Sequence, residues 1–535
     1  MSVLNLDLAM AILPLAVLIY LMTKKRPVPA FVALPVVAAG LWILKLTYFK
    51  DPAIEVNATV IDGLLTALKP ITIVWGAIFL FKSMEHSGAM ATLREWLNGI
   101  TTNRVAQVMI VAWSFSFLIE GSAGFGTPVA IAAPILVGLG LEAVPAVIVC
   151  LVFNSVPVTF GAVGVPMWFG LGEVGLGGKE LVEVGFVCAM INTAAALMMG
   201  VIGMLFVAPA REVRANIWFI VLSIGLCVGP YLGAAYINVE FPSIIGGLIG
   251  TVLSVVLAHY GVGLAGEKAH KPGKEKRIGQ GKLVKALFPL WATVAILLVT
   301  RIDTMGLKGL LNAEGPVWGA VIPWVGTFTI SPALSVTLKN ILGTATTWNH
   351  KFLYIPFIIP FFVVGFATLA LLRAPRQEFK AAWSQSIHRM RHPVIALLGT
   401  LVFAKLFMAG PSSCTMLIGK ALAQAAGNYW YYFAWGLGAL GSFFAGSNTI
   451  SNLTFAPIQI SIAGALGLNK TLVLALQCAG GAMGKMICIH DIVAACSVIG
   501  LSGVEGLILK RTIIPMLVYA AIAAALVPLL LLYVR

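Results

Sequence analysis

The feature that most constrains this chain is an apolar helix that breaks where lipid should be, and the break occurs twice. The first runs through Glu120-Gly121-Ser122-Ala123-Gly124-Phe125-Gly126-Thr127-Pro128 and continues into a second apolar segment ending near Leu141. The second runs through Gly441-Ser442-Phe443-Phe444-Ala445-Gly446-Ser447-Asn448-Thr449-Ile450-Ser451-Asn452, with Pro457 and apolar residues to Leu468 beyond it. Backbone that leaves the helix inside a bilayer must be buried in protein or line a cavity, because lipid satisfies neither N–H nor C=O groups. Two such interruptions at corresponding places in two halves are the sequence signature of a secondary transporter's binding site.

Composition places these breaks in a membrane. Of 535 residues, 60% are hydrophobic and only 10% are charged, against about 25% charged in soluble domains. Apolar runs long enough to span recur from Leu6 to Tyr533, and they predict an all-α polytopic membrane protein of about 12–15 spans. The run 143–169 reads as one span, whereas Pro316–Ile330, Pro332–Leu342 and Ile487–Leu501 fit no span cleanly. The first apolar run precedes Lys24-Lys25-Arg26, the reverse of a signal peptide's order, so it reads as a transmembrane helix. The formal net charge of +15 sits in short loops, as the positive-inside rule expects, and does not point to nucleic acid. The seven cysteines fall in apolar stretches with no zinc or redox spacing.

Placing the basic loops at 24–26, 268–285 and 373–391 in the cytoplasm puts the N-terminus outside. The two breaks are then entered from opposite faces, which predicts an inverted repeat. On this reading residues 1–260 form the first repeat, with a hairpin at about 120–141. Residues 261–282 are a basic cytoplasmic linker. Residues 283–535 form the second repeat, with a hairpin at about 446–468.

The breaks supply the chemistry for a small carboxylate. Gly121, Gly124 and Gly126 permit tight or left-handed backbone, and Ser122 and Thr127 add hydroxyls. Pro128 suits the first turn of a new helix, whose N-terminus would be an anion site. Ser447, Asn448, Thr449, Ser451 and Asn452 crowd the second break. Charges at membrane depth mark function. Glu120 is a candidate proton carrier, since a desolvated carboxyl can hold a proton near neutrality. Lys485, in Gly480-Gly481-Ala482-Met483-Gly484-Lys485-Met486, would pair with a substrate carboxylate or with Glu120, snorkelling to the interface being the alternative. Lys405 is a second cation candidate. His490 and Asp491 could form a proton relay. Asn154 and Gln477, in corresponding spans, either face the site or bond between helices. The chain has no GxxxxGK[ST] phosphate loop and no HExxH, so neither an ATP-driven pump nor a zinc hydrolase is indicated.

Glu120 through Leu136, Gly441 through Gln459, and Gly480–Met486 with Ala494-Ala495-Cys496 closely resemble the lactate permease family, and the likeness extends over essentially the whole chain. The resemblance implies a multi-pass plasma-membrane permease of a bacterial or archaeal cell, not an enzyme, moving lactate and in some members glycolate with protons. It puts the family's signature Glu on Glu120 and its Gly-Lys-Met on Lys485. Asn448 stands where some members would carry an Asp, which argues against ion coupling at that position. No cofactor is expected beyond the coupling ion, a proton or alternatively sodium, which Ser447-Asn448-Thr449 resembles a site for. The expected partners are a small monocarboxylate and membrane lipids, and a homodimer is an open option. A passive channel is the more distant functional alternative.

Overall fold

A computed structural model describes residues 3–24, 28–98, 101–122, 124, 126–265, 279–301, 306–311, 313, 315, 317–353, 358–410, 413–499, 501 and 504–534. Among these, seven helices are long and apolar enough to cross a membrane, or eight if one bent pair counts as a single span. Four shorter apolar helices, Leu6–Leu21, Phe31–Thr47, Thr127–Gly138 and Ile359–Leu371, accompany them. Proline and glycine divide the apolar runs, so several segments that read as whole spans fold as shorter helices.

The chain divides into two compact units, each drawing residues from both sides of the basic linker. One comprises 1–93 and 280–421, the other 94–279 and 422–535.

The first unit is organised around the helix Arg376–Met408, which packs against Ala30–Thr47, Ala53–Thr66 and Leu68–His86. Glycines set the spacing: a Cβ at Gly63 would lie 2.8 Å from Val402 Cα, and one at Gly399 would lie 2.5 Å from Pro35 N. A buried lysine and a partly exposed one find counter-charges here. Lys45 reaches Asp51 at 3.1 Å and the Ala409 carbonyl at 2.7 Å, and Lys405 reaches Asp62 at 3.2 Å.

Two of the stretches that fitted no span, Pro316–Ile330 and Pro332–Leu342, fall in a four-stranded antiparallel meander that runs on to Lys351, the one departure from an all-helical fold among the described residues, whereas Ile487–Leu501 contains the helix Ile489–Val498. The meander is built from β1 (Trp318–Ile322), β2 (Gly326–Ile330), β3 (Ser335–Lys339) and β4 (Trp348–Lys351). Alternating β-branched and aromatic residues favour this pleated form. Leu338, Ile341 and Trp348 pack on Ala58 and its helix neighbours. His350 lies enclosed in the sheet, and burial, with Lys69 adding to it, pushes its pKa down to about 4. Burial thus favours the neutral imidazole over the imidazolium.

The second unit contains both predicted breaks. The span Arg104–Ser122 widens to π-helical turns at Met109–Phe115, a local irregularity common at functional sites. It lies against Pro242–His259 so closely that a Cβ at Gly247 would run into the Leu118 backbone and one at Gly121 would lie 2.6 Å from Ile244 N. A buried polar cluster ties other elements together. Asn192 donates to Tyr231 Oη at 2.7 Å and Thr159 Oγ1 at 2.8 Å, and it accepts from Tyr519 Oη at 2.6 Å.

The run 143–169 is sharply bent rather than straight. Ala143–Asn154 and Pro157–Val174 meet at 59°. Pro157 has no N–H to continue the helix, and Ala162, Val163 and Gly164 all take left-handed φ, which β-branched residues adopt only where surrounding structure holds them.

The glycine at 247 yields a test. Gly247→Val should destabilise the protein by about 2 kcal/mol through overpacking, seen as a lowered melting temperature in detergent. Gly225→Ala, on a neighbouring helix with open space around it, should not. Equal effects would show that this close approach does not limit stability.

Candidate functional site

The site forms where four interruptions of helix converge inside the second unit. The first helix ends at Ser122, and Gly124 and Gly126 take left-handed φ of 58° and 75° before Thr127–Gly138 begins. The bend at 155–164 contributes the second interruption. The third is tighter than the sequence suggested: Ala434–Ala445 ends at left-handed Gly446, and a new helix starts at once at Asn448 and runs to Leu466. Pro457 lies inside that helix rather than at its start. The fourth follows Gly484, where Lys485–Ile487 form a single 3₁₀ turn before Ile489–Val498.

Unwound backbone at this depth needs partners, and side chains supply them. The Pro157 carbonyl accepts from Ser243 Oγ at 2.7 Å, Val163 from Trp168 Nε1 at 3.1 Å, and Pro166 from Asn452 Nδ2 at 2.9 Å. The Gly446 carbonyl accepts from Lys485 Nζ at 2.9 Å. Ser447 caps the new helix by accepting from Ile450 N at 3.4 Å.

Glu120 and Gly124 from the first break line one small cavity with Gly161, Ala162 and Pro166 of the bend. Gly446, Ser447, Asn448, Thr449 and Lys485 complete its wall. The space it offers a water-sized molecule is about 20 Å³, close to the ~10–15 Å³ that one water needs. A three-carbon acid enters only if the hairpin tips separate.

The charges inside are nearly sealed. Glu120, Lys485 and Asp491 are 2%, 4% and 5% exposed. Glu120 accepts from Asn154 Nδ2 at 3.0 Å, and its other oxygen lies against Gly161, where any side chain would collide with it. Lys485 pairs with Asp491 at 2.5 Å. Asp491 also reaches the first hairpin: a Cβ at Gly126 would lie 3.0 Å from its Oδ1. The helix N-terminus expected to face a substrate anion therefore faces a carboxylate of the protein itself, a favourable placement for a negative charge.

The structure sorts the residues named from sequence. Glu120, Gly124, Ser447, Asn448, Thr449 and Lys485 line the cavity, and Asn154 and Asp491 stand directly behind that wall. Gly126 sits at the tip beside Asp491, and Thr127 begins the tip helix, its N–H bonded to the Gly124 carbonyl. Others hold helices together instead. Gly121 is a packing glycine, and Ser122 Oγ turns back to its own Leu118 carbonyl at 2.7 Å. Ser451 donates to Gly438 O, Asn452 serves the bend, and Gln477 accepts from Gln459 at 2.9 Å. Lys485 pairs with Asp491 rather than with Glu120. Lys405 belongs to the other unit, paired with Asp62. The His490 side chain lies outside the described residues. The bend's contribution went unnoticed in the sequence, although Pro157, Gly161, Gly164 and Pro166 mark it.

Known proteins match this chain along its length. The family model for L-lactate permease matches residues 7–535. The chain belongs to the L-lactate permease family. A putative L-lactate permease of Haemophilus influenzae is 42% identical over 521 residues, 97% of each chain. The L-lactate permease of Escherichia coli K12 is 27% identical, covering 89% of this chain and 87% of that protein. The glycolate permease GlcA of the same strain is 27% identical, covering 90% and 88%. Family membership and the apolar helices make this a multi-pass protein of the cell membrane.

The buried pair in this permease gives a second test. Lys485→Met removes the ammonium that pairs with the buried Asp491 and should cost about 3–5 kcal/mol of stability. Adding Asp491→Asn should restore most of that loss. Melting curves of both single variants and the double variant measure the coupling, and strictly additive losses would deny it.

Proposed function

We propose that this permease carries lactate, or a related short 2-hydroxy monocarboxylate such as glycolate, across the cell membrane together with a proton. The observation that carries the reading is an enclosed ammonium group, Lys485, where four broken helices meet in one cavity. Among the described residues lining the cavity Lys485 is the single cation, which suits a monovalent anion better than a dicarboxylate, since a second negative charge would lack a partner there. The names of the family and of its lactate- and glycolate-carrying relatives support the substrate class, and they point to a transporter rather than an enzyme.

In this reading Lys485 binds the substrate carboxylate. Ser447, Asn448 and Thr449, with backbone at Gly446 and Gly124, bind its other oxygens. The hairpin tips first open to one side, admit the acid, close over it and then open to the other side. Two carboxyls of the cluster, Glu120 and Asp491, are available to carry the proton. Neither exchanges it with water while the site is shut, so the proton crosses with the tips' movement rather than leaking past them.

The test is uptake of labelled lactate by purified protein in liposomes. An inward proton gradient should drive accumulation well above the external concentration, and a protonophore should collapse it. Replacing sodium by potassium at fixed pH should leave uptake unchanged. Glycolate should compete better than succinate. Uptake that follows sodium and ignores pH would replace the proton by sodium as the coupling ion, and mere equilibration under either gradient would make the protein a passive pathway.

A further inference from the structure

We infer, building on the proton-coupled reading, that Asp491 is the carboxyl that links proton to substrate, because it occupies the place on Lys485 that the substrate carboxylate must take. Three observations converge on this. Asp491 is the acidic partner of Lys485, at 2.5 Å and with both side chains nearly sealed from water. The same carboxylate abuts Gly126 at the start of the tip helix Thr127–Gly138, the position whose N–H groups suit an anion. Glu120, by contrast, is held by the Asn154 amide, and among the described residues it forms no ion pair.

Charge counting fixes the order of events. With the ion pair intact, an entering carboxylate would place two negative charges against one ammonium among buried groups, which is strongly unfavourable. Protonating one Asp491 oxygen removes one of those charges and breaks the ion pair. The Lys485 ammonium then pairs with the incoming carboxylate. On release, Lys485 returns to Asp491, whose proton leaves to water on the side to which the site has opened. One proton and one monocarboxylate thus move together, and the cluster's net charge is the same loaded and empty.

The exchange also acts on the tips. Lys485 holds the Gly446 carbonyl of the second hairpin with one bond and Asp491 beside the first hairpin with another. Neutralising Asp491 weakens the link between the hairpins, which lets a cavity of about 20 Å³ widen.

Among the described residues the surroundings offer few competing groups, the side chain of the adjacent His490 lying outside them. The helix Ile489–Val498 packs against Ala143–Asn154, Thr127–Gly138, Ala434–Ala445 and Glu505–Tyr533. Of these, Thr127–Gly138 and Ala434–Ala445 carry no titratable residue, and Ala143–Asn154 carries only Cys150. The last helix carries Glu505, Lys510, Arg511, Tyr519 and Tyr533. Of these, Glu505 acts on Cys496, and the Tyr519 hydroxyl is bonded to Asn192. Glu120 and Cys488 act electrostatically on Lys485, and Glu120 also feels Asp491.

The experiment measures equilibrium binding of labelled L-lactate to the full-length protein in liposomes from pH 5.5 to 8.5, alongside gradient-driven uptake. For the wild type, affinity should fall by up to tenfold per pH unit once one proton is taken up per anion bound. Asp491→Asn should bind lactate with no such slope, should exchange lactate for lactate, and should not accumulate it against a gradient. Asp491→Glu should restore the slope, which guards against a merely misfolded Asn variant. Glu120→Gln should keep the slope, at whatever affinity it binds. A steep slope retained in Asp491→Asn, or a slope lost in Glu120→Gln but kept in Asp491→Asn, overturns the assignment while leaving proton coupling standing. A wild type with neither slope nor proton-driven accumulation overturns the symport reading itself.

Discussion

A lysine ammonium sealed inside a cluster of apolar helices must have a counter-charge, and the rest of the site depends on how this chain supplies one. Lys485 takes Asp491 on one side and the carbonyl end of a broken helix, at Gly446, on the other. Both partners come from interruptions in helices, where carbonyls and N-terminal amides lack the usual intrahelical partners. A continuous helix could present the lysine, but it could not offer the exposed carbonyl that completes its coordination. Breaks and charge are therefore one construction: each would be costly in a bilayer without the other.

The small residues around the cluster have divided duties. At Gly124, Gly126 and Gly446 the left-handed backbone itself calls for glycine. At Gly121 and Gly247 the requirement is close approach of neighbouring helices, which fixes the helix that carries Glu120. Gly161 is different again, since it leaves room for the Glu120 carboxyl. The polar residues divide in the same way. Asn448 and Thr449 face the cavity, whereas Ser451 and Asn452, within the same helical turn, face away and satisfy the carbonyls of Gly438 and Pro166.

That division explains what the sequence could and could not reveal. The two Gly-Ser breaks, Glu120 and Lys485 stood out because charge and glycine clusters within apolar runs are costly wherever they point. Asn154, whose amide holds Glu120, was legible for the same reason. The direction a side chain takes from a helix turn was not legible: Ser122 and Gln477 are polar at membrane depth yet bond within the helix packing. The bend at 155–164 was hidden because Ala162 and Val163 are ordinary apolar residues, and only surrounding contacts force their left-handed backbone. The sheet at 318–351 was hidden because its first strand is as apolar as the spans, and length alone separates a short strand from a fragment of helix.

The closed cavity bears on how such a site can work. A space of about 20 Å³ does not admit a carboxylic acid, so binding requires a rearrangement that the resting structure resists. Lys485 holds Asp491 and the Gly446 carbonyl at rest, and in the proposed mechanism a substrate carboxylate replaces the first of these bonds. On that proposal ligand and internal carboxylate compete for one cation, and a differential affinity of this kind is what lets a ligand shift a conformational equilibrium. In the proposed cycle protonation of Asp491 comes first and loosens the link that Lys485 makes between the hairpins, and the anion then holds Lys485 in that loosened state.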